Sequence, residues 1–240
     1  MNRVALITGG SHGLGLSTAI ELQTRGFDLM LVARKSQLSD SARQRLTNDT
    51  RVEYVSGDIT LSATAARLTE ACRQKFGRLD LLVNNAGIFL MGSIEEFDEQ
   101  AWDNILAVNL KGAFLVTKAL IGLLRESKGQ IVFINSVGGQ VGLKNLSAYA
   151  ASKFGLRGFA DSLRLELKPF GVRVTSIYPH AMNSTGDLIA PDDLKRWAQI
   201  ETGDVARMID EIADTAVHVQ IPEITIYPRS TEISKRESST

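Results

Sequence analysis

Tyr149 and Lys153 stand four positions apart in Ser147-Ala-Tyr-Ala-Ala-Ser-Lys-Phe-Gly-Leu, a stretch with no helix breaker before Gly155. Residues four apart share a helical face, so a phenol and an ammonium open onto the same space. A free tyrosine titrates near pH ~10 and carries protons poorly at neutrality, but a cation within ~4 to 6 Å favours the phenolate. That makes Tyr149 a candidate acid/base. The bland alternative is an interfacial tyrosine beside a solvated lysine, and only the surrounding sequence decides between them.

That context begins at the N-terminus. The run Arg3-Val-Ala-Leu-Ile-Thr8 reads as a strand and leads directly into Gly9-Gly-Ser11-His12-Gly13-Leu14-Gly15, followed by the helical pattern Leu16, Ala19, Ile20, Leu22. A glycine-rich turn between strand and helix lets the backbone approach a pyrophosphate, and the N–H groups opening the helix bind the anion. The spacing is Gly-x-x-x-Gly-x-Gly rather than the commoner Gly-x-Gly-x-x-Gly.

Thr8-Gly9-(x)3-Gly13-x-Gly15, Asn84-Asn85-Ala86-Gly87, Asn109, Ser136 and Tyr149-(x)3-Lys153 follow in one order, with 27 positions from Asn109 to Ser136 and 13 from Ser136 to Tyr149. In this the chain resembles the short-chain dehydrogenase/reductase family from Arg3 to about Pro228. The resemblance implies a Rossmann-type α/β fold and hydride transfer to and from a nicotinamide cofactor. It implies Tyr149 as proton donor to a substrate carbonyl, Ser136 as hydrogen-bond donor to the reacting oxygen, and Lys153 as partner of the phenol and the nicotinamide ribose. Asn109 would distort its helix and hold a water in a proton relay from Lys153.

For the cofactor the resemblance places the adenine at Asp58 and Ile59, with Asn85, Ala86 and Gly87 steadying the strands beside it. Pro179, Met182 and Ser184 fall where the carboxamide is contacted. Here the chain departs from the family, since the usual Pro-Gly is Pro179-His180 and Ser184 replaces a common Thr. Asp58 would equally cap the helix starting near Ser62. Arg34 lies 19 positions after Gly15, where NAD-preferring sites carry an acidic residue. With Lys35, and with Ser11 and His12 adding donors, it predicts a grip on the 2′-phosphate of NADP(H). A solvated basic pair is the alternative, and with it an NAD-preferring dehydrogenase.

Phe89, Val137, Val141 and Leu146, with Met182, Leu188, Ile189 and Trp197 of a lid spanning His180–Gly203, suggest a mostly apolar pocket for a small or medium carbonyl/alcohol pair. The lid residues would serve equally for packing a small helix. A non-catalytic NADPH-binding sensor on the same fold is the rival from another class, although a pure binder needs no acid/base set.

The 240 residues suffice for one well-buried core and show no linker, which predicts a single domain over 1–229 and a polar tail over 230–240. Lys plus Arg equals Asp plus Glu at 27 each, so no general field attracts nucleic acid or an anionic membrane. No uninterrupted apolar run reaches membrane-spanning length, and a cytoplasmic protein is expected. Cys72 reads as a small buried hydrophobe. The three histidines have no ligand-like spacing, so no metal is expected. A homodimer or homotetramer follows from the resemblance.

Seven short branched runs (4–8, 29–33, 52–56, 79–83, 131–135, 172–178 and 224–227) alternate with helical patterns at 14–25, 36–47, 62–76, 98–126, 147–168 and 204–217. Near-continuous apolar strands suit a sheet covered on both faces, and the alternation predicts right-handed crossovers: a doubly wound, mostly seven-stranded parallel sheet. Every candidate site residue then follows a strand end on one rim.

Overall fold

A computed structural model describes residues 2–46, 50–183 and 200–229. Ser184, Leu188, Ile189, Trp197 and the 230–240 tail lie outside the described residues. The main sheet is parallel, seven-stranded and ordered β3-β2-β1-β4-β5-β6-β9. Its strands are β1 (Val4–Thr8), β2 (Asp28–Ala33), β3 (Val52–Ser56), β4 (Leu81–Asn84), β5 (Gln130–Ile134), β6 (Arg173–Pro179) and β9 (Glu223–Ile226). The apolar runs are continuous because alternate side chains feed two different cores. Val4, Leu6, Met30, Val32, Leu82, Ile131, Phe133 and Val174 enter one. Ala5, Ile7, Leu29, Leu31, Leu81, Val83, Val132 and Ile134 enter the other.

The first core is closed by α3 (Ser62–Lys75), α5 (Ala113–Ser127) and α6 (Ser147–Leu167). The second is closed by α1 (Gly13–Thr24), α2 (Asp40–Arg45) and α7 (Thr202–Ala213). Chain order runs outward in both directions from β1 and β4, so the crevice of the sheet lies at their carboxyl ends.

Four departures from expectation have local causes. The helix expected at 98–126 is α4 (Glu99–Leu106), a π-helical turn at Ala107–Gly112 and then α5. Together Glu99–Ser127 reach membrane-spanning length, with a mean hydropathy of 1.6 in the most apolar window, although Lys111 and Lys118 interrupt the apolar stretch. Val116, Leu120, Leu123 and Leu124 of this helix pack into the first core. The helix expected at 36–47 begins only at Asp40, because the Ser39 hydroxyl caps it by accepting the Ala42 N–H at 3.2 Å. The last helix starts early, at Thr202, where the Asp204 carboxylate accepts the Glu201 N–H. Two short strands were not expected: β7 (Met182–Asn183) pairs with β8 (Ile200–Glu201).

Candidate active site

Helix α6 carries Tyr149 and Lys153 on its inward face, as their spacing requires. Ser136 follows β5 in extended conformation and opens a 3-10 turn over Val137–Gly139, where its hydroxyl accepts the Gly138 N–H at 3.1 Å. The same hydroxyl faces the Tyr149 phenol closely enough to favour its ionised form. Gly138 makes this approach possible, since a β-carbon there would sit 3.2 Å from the Tyr149 ring. Lys153 is buried, donates from Nζ to the Ile134 carbonyl at 2.9 Å and lies 5.7 Å from the centre of the Tyr149 ring.

Burial governs the electrostatics. It pushes the Lys153 ammonium down to about 8 and holds the Tyr149 phenol above its ordinary value, with the Ser136 hydroxyl pulling the other way. Proximity to Lys153 was expected to lower the phenol; instead burial raises it, and the group that acts to lower it is Ser136.

Asn109 sits in the π-helical turn, almost wholly buried. Its Oδ1 accepts the Ile88 N–H at 2.8 Å, and its Nδ2 donates to the Ile88 carbonyl at 2.9 Å and to the Ser152 hydroxyl at 3.1 Å. Ser152 in turn donates to the Tyr149 carbonyl at 2.7 Å. Sequence reasoning passed over Ser152; its place on α6, between the phenol and the ammonium, was the available signal. A β-carbon at Gly87 would stand 3.3 Å from the Asn109 Oδ1 and 3.8 Å from the Lys153 Nζ, so glycine keeps open the space between them.

The nucleotide end is tied together by Thr8, also overlooked as an anchor. Its hydroxyl accepts the N–H groups of Asn85 and Ala86 at 3.0 and 2.9 Å, while Asn85 Nδ2 donates to the Thr8 carbonyl at 2.8 Å. Gly9 and Gly13 have φ of +67° and +52°, which favours glycine, and a β-carbon on Gly15 would collide with the Gly9 carbonyl at 2.2 Å. Helix α1 starts after His12 with no side-chain cap and no acidic residue in its first turn, so no side chain caps the N–H groups that open it. Ser11 and His12 are hydrogen-bonded to each other at 3.0 Å.

Arg34 is exposed beyond β2 and makes no hydrogen bond or ion pair among the described residues. The backbone carbonyl of Lys35 accepts the Tyr54 hydroxyl at 2.7 Å. Asp58 does not cap α3: its carboxylate accepts both the N–H and the hydroxyl of Thr60, closing a tight turn, and Leu61 holds the N-cap. Ile59 is buried against Gly112 of the π-helical turn. Pro179 is buried at the end of β6; His180 donates its N–H to the Ile226 carbonyl, and its ring lies 5.5 Å from that of Tyr227. Met182, in β7, is half-buried. Among the described residues no cluster of His, Cys, Asp and Glu is suited to a metal.

A doubly wound parallel sheet with a glycine-rich turn after β1 and a Ser, Tyr and Lys group beside its crevice defines a dinucleotide-type α/β protein. Residues 3–189 match the family model described as short chain dehydrogenase, and the chain belongs to that family. It is 33% identical over 230 residues to an uncharacterised oxidoreductase of Staphylococcus saprophyticus, covering 95% of this chain and 97% of that protein. Levodione reductase superposes with a TM-score of 0.85 at 29% identity, over 93% of this chain and 95% of its own. A metagenomic short-chain oxidoreductase in complex with NADP superposes with a TM-score of 0.81 at 30% identity, over 94% and 96%.

Proposed function

We propose that this oxidoreductase moves hydride between NADP(H) and a small or medium carbonyl/alcohol pair, with Tyr149 as general acid/base. The observation that carries the reading is the convergence of Ser136, Tyr149 and Lys153 at the crevice. The residues present fit the cofactor: uncapped N–H groups at α1, a turn whose glycines admit close backbone approach, and an Arg34 without a partner among the described residues. When bound, the nicotinamide supplies the hydride donor or acceptor.

The chain's own residues supply position and the proton. Ser136 and Tyr149 direct their hydroxyls to one point, where a carbonyl oxygen would be held and protonated as negative charge develops. Lys153, 5.7 Å from the centre of the Tyr149 ring, would return a proton and contact the ribose. Asn109 would extend that relay along the opened π-helical turn. A non-catalytic sensor requires none of these groups to converge.

Arg34 and Lys35 favour NADP(H), as does the NADP complex of the metagenomic relative. A charge-assisted hydrogen bond to a 2′-phosphate contributes roughly 1.5 to 3 kcal/mol, so NADPH is expected to bind about 10- to 100-fold more tightly than NADH. Arg34→Asp erases or inverts this preference and leaves the catalytic group intact. Equal dissociation constants in the unmodified protein defeat the assignment.

The enzymatic reading is tested by following NADPH oxidation over a panel of ketones, quinones and hydroxy acids with the reverse reaction alongside. Tyr149→Phe retains cofactor binding and loses at least ~10²-fold in turnover. Near-normal turnover in that variant removes Tyr149 from the mechanism. We also propose a homodimer or homotetramer, assembled through the outer faces of α4, α5 and α6.

A further inference from the structure

On the proposed reading of Tyr149 and Ser136, we propose that the reacting carbonyl terminates a neutral aliphatic or alicyclic body several carbons long, which lies along a strip between residues 88–94 and 140–146. The strip begins at the reacting atoms. Phe89 meets the Tyr149 ring edge-on, with centroids 5.0 Å apart. Outward from it Leu90 and Met91 are each 38% exposed and Ile94 69%, while Val141 and Leu143 on the facing segment are 52% and 44% exposed.

These side chains are held out rather than left over. The Gly92 N–H donates to the Asn145 carbonyl at 2.9 Å, tying the two segments together. Asn145 takes a left-handed φ of 62° to present that carbonyl, a conformation asparagine tolerates better than most residues. Gly92 closes on Phe97, where a β-carbon would come within 3.1 Å. Ser93 bonds the Glu96 carboxylate through its hydroxyl at 2.9 Å, forming the turn that lifts Ile94 into solvent. Exposed apolar side chains gathered on two tied segments beside a candidate acid/base suit a binding site.

Charge sets the chemistry of the occupant. No ionisable residue occurs in Ile88-Phe-Leu-Met-Gly-Ser-Ile94 or in Gln140-Val-Gly-Leu143; Glu95, Glu96 and Lys144 come only at the outer end. A charged group on the strip would lose hydration without gaining a partner among the described residues, whereas each methylene laid along it leaves water. Any polar head therefore belongs beyond Ile94, away from the carbonyl.

The experiment measures binding of straight-chain 2-ketones of about four to ten carbons to the full-length protein loaded with oxidised cofactor, where no hydride is available. Affinity rises at least about twofold per methylene, full burial setting a ceiling of about fourfold. Ile94→Asp with Val141→Asp flattens the series, whereas Val217→Asp, 87% exposed beyond the far end of α7, leaves it steep. Thermal melting of each variant separates misfolding from loss of the strip. A flat series in the unmodified protein, or a steep one in the double variant that still folds, overturns the proposal. Turnover of the same ketones with NADPH is scored separately: a steep affinity series without turnover keeps the apolar site and removes the reductase reading.

Discussion

At the scale of single residues, the feature with the clearest thermodynamic consequence is the buried ammonium of Lys153. Its folded value of about 8 lies below the ordinary 10.5, so between these values the unfolded chain binds more protons than the folded one. Stability from this group therefore rises as pH increases from about 8 towards 10.5, and at or below pH 8 the charge is a standing cost. A depression of this size corresponds to roughly 3 kcal/mol, from which the hydrogen bond to the Ile134 carbonyl is partly lost on substitution. Lys153→Met is expected to melt higher than the unmodified protein at pH 7, by an amount that shrinks as the pH approaches ~10. The same variant loses turnover and cofactor affinity. Denaturant unfolding across the pH range checks the sign: a variant less stable at pH 7 shows that the ammonium is better solvated than its burial indicates. Untouched cofactor affinity removes the ribose contact. The phenol is also held by burial in its neutral form, so on the proposed reading of Tyr149 as acid/base a bound oxidised nicotinamide would have to supply part of the charge that lowers it.

At the scale of elements, two turns hold the site, and each makes a prediction. Gly15 opens α1 against the Gly9 carbonyl, and a methyl group there meets backbone rather than a side chain that can swing away. Gly15→Ala is expected to shift the turn, weaken NADPH binding by at least about tenfold and lower stability by about 1 to 3 kcal/mol. Cofactor titration with thermal melting measures both, and unchanged affinity shows that the turn does not grip the pyrophosphate. The π-helical turn depends on Asn109, which satisfies both backbone groups of Ile88. Asn109→Ala leaves a part-buried donor and a part-buried acceptor of Ile88 unpaired and is expected to cost about 1 to 3 kcal/mol in unfolding free energy. A neutral result means that water replaces the carboxamide. These elements also show where the sequence was legible. The seven strands were readable because both faces of a parallel sheet are buried, leaving apolar runs that propensity alone identifies. Tyr149, Lys153 and Ser136 were legible from spacing, since one helix and one strand end fix where they point. The distortion at Asn109 was legible only through the resemblance; periodicity does not register it, because Asn109 bonds a residue 21 positions earlier. Helix α2 was drawn too long because Ser39, in a run of polar residues, carries a cap that periodicity does not register.

At the scale of the whole molecule, the outer faces of α4, α5 and α6 remain to be accounted for. Their inner faces build the site, with Asn109 from the turn between α4 and α5 and Tyr149 and Lys153 from α6. Outside, Phe114 is 40% exposed, Phe154 44%, Phe170 41% and Leu165 70%. Leu106, Leu110, Phe114 and Phe159 line an open groove there that continues to Ile121 and Phe170. Gly155 narrows α6 at this groove and lets Leu110 approach: a β-carbon would sit 2.9 Å from its methyl group. Aromatic and leucine side chains at this density suit the core of a protein interface better than a hydrated surface. A second copy presenting the same patch about a twofold axis would cover it, which is the self-complementary arrangement of most homodimers. Light scattering at micromolar concentration is expected to give a multiple of 26.2 kDa. The melting midpoint should rise with protein concentration, since association stabilises the folded state by mass action. Phe114→Glu places a charge at the centre of the patch, and its mass should fall to that of the single chain, with the concentration dependence lost. Because the faces opposite the patch carry Asn109, Tyr149 and Lys153, turnover in the dissociated variant should fall as well. An unmodified protein that scatters as a monomer, or a Phe114→Glu variant of unchanged mass, shows that this surface is not where the copies meet.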